Sequence, residues 1–133
     1  MKLSKIFITA VLLMLLATLG SACGKTPQVT LNVYNWGDYI DESVLTQFEK
    51  ETGINVNYET FTTNEDMYIK IKSGGSPYDV AFPSDYMIER MIKEDLLNKI
   101  NMDNIPNLQY IDPNFRHLDY DPDESYSVPY MWG

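Results

Sequence analysis

The sequence predicts an α/β fold built on a mostly parallel sheet. Three observations carry the prediction. Segments of strand and helix character alternate as βαβαβα from Leu31 onward, the connections between them are short, and cap and turn signals fall where each helix should begin and end. The 44% hydrophobic and 22% charged content is that of an ordinary globular domain, so 133 residues supply one modest core.

In chain order the first element is a leader. Lys2 and Lys5 precede an uncharged, mostly apolar run of 14 residues from Ile6 to Leu19, followed by small residues, which is the pattern of a secretory signal over residues 1–22. A bilayer span needs about 17 to 25 apolar residues, so the run reads as an export signal and the rest as an exported domain. Cys23, the single cysteine, has no partner for an internal disulfide. It stands directly after "LGSA", and "TLGSAC" resembles a bacterial lipobox, which implies a lipid on Cys23 and a tether over residues 23–30. Gly20 stands where that pattern prefers leucine, which leaves ordinary cleavage with a free Cys23 open.

"LNVYNW" is rich in strand-forming residues. Asp41 is then placed to cap a helix over "ESVLTQFEKET", with Ile40 and Leu45 at hydrophobic-staple positions, Val44, Leu45 and Phe48 on one stripe, and Gly53 as the stop. "INVNYETF" alternates Ile54, Val56 and Tyr58 against polar residues, as an edge strand with one wet face does. Thr63 and Asp66 have capping-box spacing before a helix whose apolar stripe is Met67, Tyr68 and Ile71, and "SGGSP" ends it as a turn. "YDVAF" reads as a third strand. Pro83-Ser84 turns it into a helix with Ile88, Met91, Ile92 and Leu96 on its inner face and with Met87 and Met91 in the core. Beyond Ile100 the chain reads as loop with one helical turn, and "YSVPYMWG" as a short strand-like run.

The formal net charge is −9, and because Lys2 and Lys5 lie in the leader while no acid does, it falls by two, to −11, beyond residue 22. Nucleic acid and anionic headgroups are therefore poor partners, and a cation is favoured. In a parallel α/β sheet, ligands collect beyond the carboxyl ends of the strands. Trp36, Asp38 and Tyr39 follow the first strand; Ser84, Asp85 and Tyr86 follow the third, its neighbour in a doubly wound sheet. A carboxylate and aromatic faces suit a primary ammonium on an aliphatic chain, with cation–π attraction of ~0.5 to 2 kcal/mol per ring, and Ser84 adds a neutral acceptor. Packing aromatics and capping acids are the plainer reading of the same residues.

Other patterns carry less. "DYDPDE" lacks the glycine and the terminal acid of a calcium loop and reads as solvated loop acid. His117, the only histidine, reads as a surface or capping residue, and "SGGSP" lacks the lysine of a phosphate loop. No metal or cofactor is expected.

These motifs, "YNWGDYI", "FEKETGINVNYETF", "NEDMYIKIKSGGSPYDVAFPSDYMIERM" and "YSVPYMWG", resemble the N-terminal part of bacterial spermidine/putrescine-binding proteins, the extracytoplasmic receptors of polyamine ABC transporters. The resemblance runs from Leu31 to Gly133. It implies a type II periplasmic-binding-protein fold, with residues 31–133 as its N-terminal lobe ending near the crossover to a second lobe. It also implies uptake of putrescine or spermidine through a membrane permease, and a location that is periplasmic or lipid-anchored at the outer face of the cytoplasmic membrane. Residue by residue, it implies that Trp36 and Tyr39 are aromatic walls, Asp38 an acidic contact, and Ser84 and Tyr86 polar and aromatic contacts. Gly37 stands where the family has Ser or Thr. In that family the second lobe supplies further carboxylates, so the chain alone is expected to bind polyamine poorly. Two alternatives stay open: a binding protein for another small solute such as a sugar or amino acid, and an exported enzyme pairing Asp38 with Asp85 or Asp41, as glycosidases pair carboxylates ~5 to 9 Å apart.

Overall fold

The computed structural model describes residues 28–132. The leader over 1–22, Cys23, the first part of the tether and Gly133 lie outside the described residues. Strand β1 (Thr30–Trp36) leads to helix α1 (Glu42–Thr52), β2 (Asn55–Phe61) to α2 (Asn64–Lys72), and β3 (Val80–Ala81) to α3 (Asp85–Lys93). The strands form one parallel sheet in the order β2-β1-β3, with Trp36 opposite Phe61 and Tyr34 opposite Ala81. Parallel neighbours need crossovers, and the helices supply them. β1 is central, so Val33, Tyr34 and Asn35 are buried. β2 lies at an edge of this sheet, as predicted, with Asn57 exposed on the expected wet face, while Asn55 and Glu59 are only partly exposed and Thr60 is exposed on the other face.

The helix ends follow from local chemistry. Asp41 accepts the Ser43 N–H at the start of α1, and Gly53 ends it at φ 72°, a conformation that costs glycine little. Thr63 accepts the Asp66 N–H at 3.1 Å and its hydroxyl donates to the Asp66 carboxylate. The core is Tyr34, Phe61, Met67, Tyr68, Met87 and Met91. Met87 and Met91 are buried almost completely, which confirms the methionine face of α3 as packing, and Met67 of α2 is buried beside them. Tyr34 stacks on Tyr78 at 4.3 Å and meets Phe61 edge-on at 5.0 Å.

Five expectations are corrected. Beyond Ile100 the chain makes three short 3-10 helices, Met102–Asn104, Pro106–Tyr110 and Pro113–Phe115, not one helical turn, the first and third capped by the Asn101 and Asp112 side chains. β3 is two residues long, not five. At its start the Asp79 carboxylate takes the Asn32 N–H that a longer ladder would use, and at its end Pro83 has no N–H to give. The run "YSVPYMW" forms no strand, because the N–H groups of Tyr126 and Ser127 donate to the Asp121 carboxylate and Pro129 donates nothing. Val44 is 51% exposed, since α1 packs on edge strand β2 and buries no residue fully. Finally, Asp121 and Glu124 of "DYDPDE" are buried, not solvated. Asp121 accepts from Ser125, Tyr126 and Ser127 N–H and from the Ser127 hydroxyl, all within 3.1 Å. Glu124 accepts from two nitrogens of Arg116 and from the His117 N–H, and this pairing holds its carboxyl at about 2, well below the usual range. His117 itself stays at the surface.

Candidate functional site

The carboxyl ends of β1 and β3 lie side by side, so the residues that follow them meet at one edge of the sheet. Trp36 closes β1. Its indole N–H donates to the Phe82 carbonyl at 2.8 Å, bridging from β1 to the segment before Ser84. One side of the ring packs on Phe61 at 4.5 Å between centroids, and Tyr39 stands 5.9 Å away. Trp36 is half-buried and Tyr39 is 41% exposed, so the pair is an anchored ring beside an open one. Asp38 lies between them in sequence, is exposed, and makes no hydrogen bond or ion pair among the described residues.

Ser84 occupies the N-cap position of α3 without capping it by its side chain. A different residue holds it. The buried side chain of Asn64, first in α2, accepts the Ser84 N–H at 3.1 Å and donates to its Oγ at 3.0 Å. Tyr86 is half exposed, and its hydroxyl donates to the Glu65 carboxylate at 3.0 Å. The two clusters are joined by Tyr130, whose ring lies edge-on to Phe82 at 4.8 Å and whose hydroxyl donates to the Tyr39 carbonyl. Asn64, Glu65 and Tyr130 were not among the residues singled out from the sequence. "TNED" signalled a helix start but not a side chain reaching 20 residues ahead.

The electrostatics of this edge run against the fold's default. All three helices begin here, and helix N-termini carry partial positive charge that repels a cation. Acids in the first turns answer it: Glu42 in α1, Glu65 and Asp66 in α2, and Asp85 in α3, with Asp41 at the cap of α1. One Asp41 oxygen accepts the Ser43 N–H as the cap of α1, and this bond holds its carboxyl below the usual range. One Asp85 oxygen accepts the Tyr86 N–H. Asp38, the one acid of the "YNWGDYI" segment, has no such partner among the described residues and is open to a ligand. A hollow of about 220 Å³ bounded by Ile92, Lys99, Tyr120 and Tyr126 contains none of the five predicted contact residues.

The profile of the family described as bacterial extracellular solute-binding protein matches residues 43–133. A relative from Salmonella typhimurium, named spermidine/putrescine-binding periplasmic protein, is 41% identical over 114 residues, covering 85% of this chain and 33% of that protein. The putrescine-binding periplasmic protein PotF of Escherichia coli is 36% identical over 79% of this chain and 29% of its own length. Among solved structures, the spermidine/putrescine ABC transporter substrate-binding protein PotD from Streptococcus pneumoniae superposes with a TM-score of 0.78 at 52% identity, covering 80% of this chain and 33% of that one. The Tp0655 (TpPotD) lipoprotein of Treponema pallidum gives 0.73 at 39% identity, covering 77% of this chain and 32% of that one. The chain thus spans about a third of the length of the relatives it matches.

Proposed function

The chain belongs to the bacterial extracellular solute-binding protein family, and from that premise we propose that it serves polyamine uptake, holding putrescine or spermidine outside the cell for an ABC transporter. The observation that carries the reading is the pairing of two rings, Trp36 and Tyr39, with an unengaged carboxylate, Asp38, at an edge whose helix termini are masked by acids. The names of the relatives support it.

In this reading the methylenes of the diamine lie along Trp36 and Tyr39, and Asp38 faces one ammonium. Ser84 offers the oxygen lone pair that Asn64 leaves open, and Tyr86 a further ring. Cys23 carries the lipid anchor, a membrane permease receives the solute, and no covalent chemistry is performed. Asp41 and Asp85 are engaged by backbone N–H groups, which disfavours either as the partner of Asp38 in an acid/base pair.

The walls described come from one lobe and leave most of a diamine in water. Two rings at ~0.5 to 2 kcal/mol each and one exposed ion pair at ~0.2 to 1 kcal/mol sum to about −5 kcal/mol at best, and the freedom lost by the bound diamine brings this to the millimolar range of Kd. The test is a thermal-shift screen of the chain at 20 mM ligand. Putrescine and spermidine should raise Tm, Asp38→Asn should remove the rise, and neutral sugars should leave Tm unchanged. Stabilisation by a sugar, or by amines equally in the Asp38→Asn variant, would defeat the reading.

A further inference from the structure

We propose that Tyr58 and Tyr130 are positioning residues that clip the two ends of the Trp36–Tyr39 loop and thereby set how its aromatic rings face a ligand, an inference that rests on the polyamine reading of this site. The Tyr58 hydroxyl, from β2, donates to the Trp36 carbonyl at 3.2 Å. The Tyr130 hydroxyl, from the C-terminal run, donates to the Tyr39 carbonyl. Two phenols from elements far apart in sequence thus hold the first and last carbonyls of one four-residue loop.

The loop needs such a device because it has little else. Gly37, Asp38 and Tyr39 are exposed, and a Cβ on Gly37 would find nothing within 4 Å, so its middle is not packed. Its entry, by contrast, is fixed. Asn35 is completely buried and its Oδ1 accepts the Trp36 N–H at 2.8 Å, while the indole N–H is held by the Phe82 carbonyl. With Tyr58 on its carbonyl, every strong polar group of Trp36 has a partner. Among the described residues, Tyr39 has the Tyr130 clip and the distant contact to Trp36 to define its ring.

Tyr130 is itself on a fixed support. Asp121 gathers the N–H groups of Ser125, Tyr126 and Ser127, which pins the chain shortly before Tyr130. Phe82 meets the Tyr130 ring from the β3 side. The clip therefore ties the loop after β1 to the segment after β3 through the C-terminal run, making the two halves of the site one unit. Neither phenol needs to touch the ligand to act, since each works through the carbonyl that it holds.

The test is Tyr58→Phe and Tyr130→Phe in the 133-residue chain, read by backbone nitrogen-15 relaxation and by putrescine titration. Each variant should lower the order parameters of Gly37–Ile40 while the α2 amides of Met67–Ile71 keep their wild-type values. Each should also weaken the putrescine response of the loop by ~3- to 10-fold. Unchanged order parameters at 37–40, or an equal fall throughout α2, overturn the clip, because a merely structural loss would loosen the core as well. Lower local order with wild-type putrescine affinity overturns the positioning role. A wild-type chain that ignores putrescine removes the polyamine reading instead, and the relaxation pattern alone then decides whether the clip exists.

Discussion

Replacing Glu124 by Gln should cost more than its place in an acidic, proline-containing loop implies. Glu124 is 8% exposed, and its carboxylate takes two donors from Arg116 and the His117 N–H. His117 and Glu124 both sit in the left-handed region, at φ 55° and 49°, so the pairing also holds two strained residues in place. The carboxyl is depressed to about 2 from an ordinary 4.5. At ~1.4 kcal/mol per pH unit, that corresponds to roughly 3 kcal/mol at neutral pH. The Arg116 side chain is 23% exposed, and screening reduces the figure to about 2 kcal/mol. For a domain of this size the loss is a fall in Tm of roughly 10 °C. The sign is set by linkage: a depressed carboxyl stabilises the fold above its unfolded pKa near 4.5, and the contribution fades as pH falls through that value towards 2. Thermal unfolding of wild type and Glu124→Gln, followed by circular dichroism from pH 7 to pH 2.5, should therefore show a gap that is full at pH 7 and reduced to roughly a quarter at pH 2.5. A gap that is constant with pH, or below ~0.5 kcal/mol at pH 7, would mean that the Arg116 pairing does not stabilise the fold through the Glu124 charge.

Asn64→Ala removes the partner of both Ser84 N–H and Ser84 Oγ at a buried position, and should lower stability by ~1 to 3 kcal/mol in urea unfolding. Asn64→Asp keeps the acceptor for the Ser84 N–H and should lose less. Gly37 is outside the left-handed region and a Cβ there meets open space, so Gly37→Ser should leave Tm within about 2 °C of wild type and place a hydroxyl beside Trp36. If that hydroxyl faces the ligand, putrescine affinity rises ~2- to 10-fold; a large fall in Tm would show that the loop is tighter than its geometry indicates.

The sequence was most legible where structure is made by neighbours. Asp41, Gly53 and Thr63 are caps by residue type and spacing, and each is found in that role. The edge character of β2 followed from its alternation, and the α/β order from the succession of elements. Legibility failed where a side chain replaces a backbone partner. Asp79 shortens β3 by taking the Asn32 N–H from 47 residues away, and Asp121 prevents a strand at Tyr126–Ser127. In both cases the acid is indistinguishable in sequence from one in a wet loop. Glu124 misled for the same reason, since the run around it is equally rich in Asp and Pro whether or not Arg116 folds back on it.

At the site, the aromatic and acidic types were readable because their chemistry is intrinsic to the side chain. Their supports were not. Asn64 reaches Ser84 across 20 residues and Tyr130 reaches Tyr39 across 91, and such pairings exist only once the sheet has brought the strand ends together. "PYMWG" was informative as part of a family pattern, but nothing within it marks Tyr130 as the residue that returns to the loop after β1.

The most direct test of the account is a nitrogen-15 NMR titration of the chain with putrescine, with glucose and glutamate as neutral and anionic controls. Putrescine should give millimolar, saturable shifts in the Trp36 indole and in the Gly37, Asp38, Tyr39, Ser84 and Tyr86 amides, and neither control should give any. Shifts confined to other residues, or equal responses to glucose, would contradict the claim that this edge of the sheet is built for an organic cation.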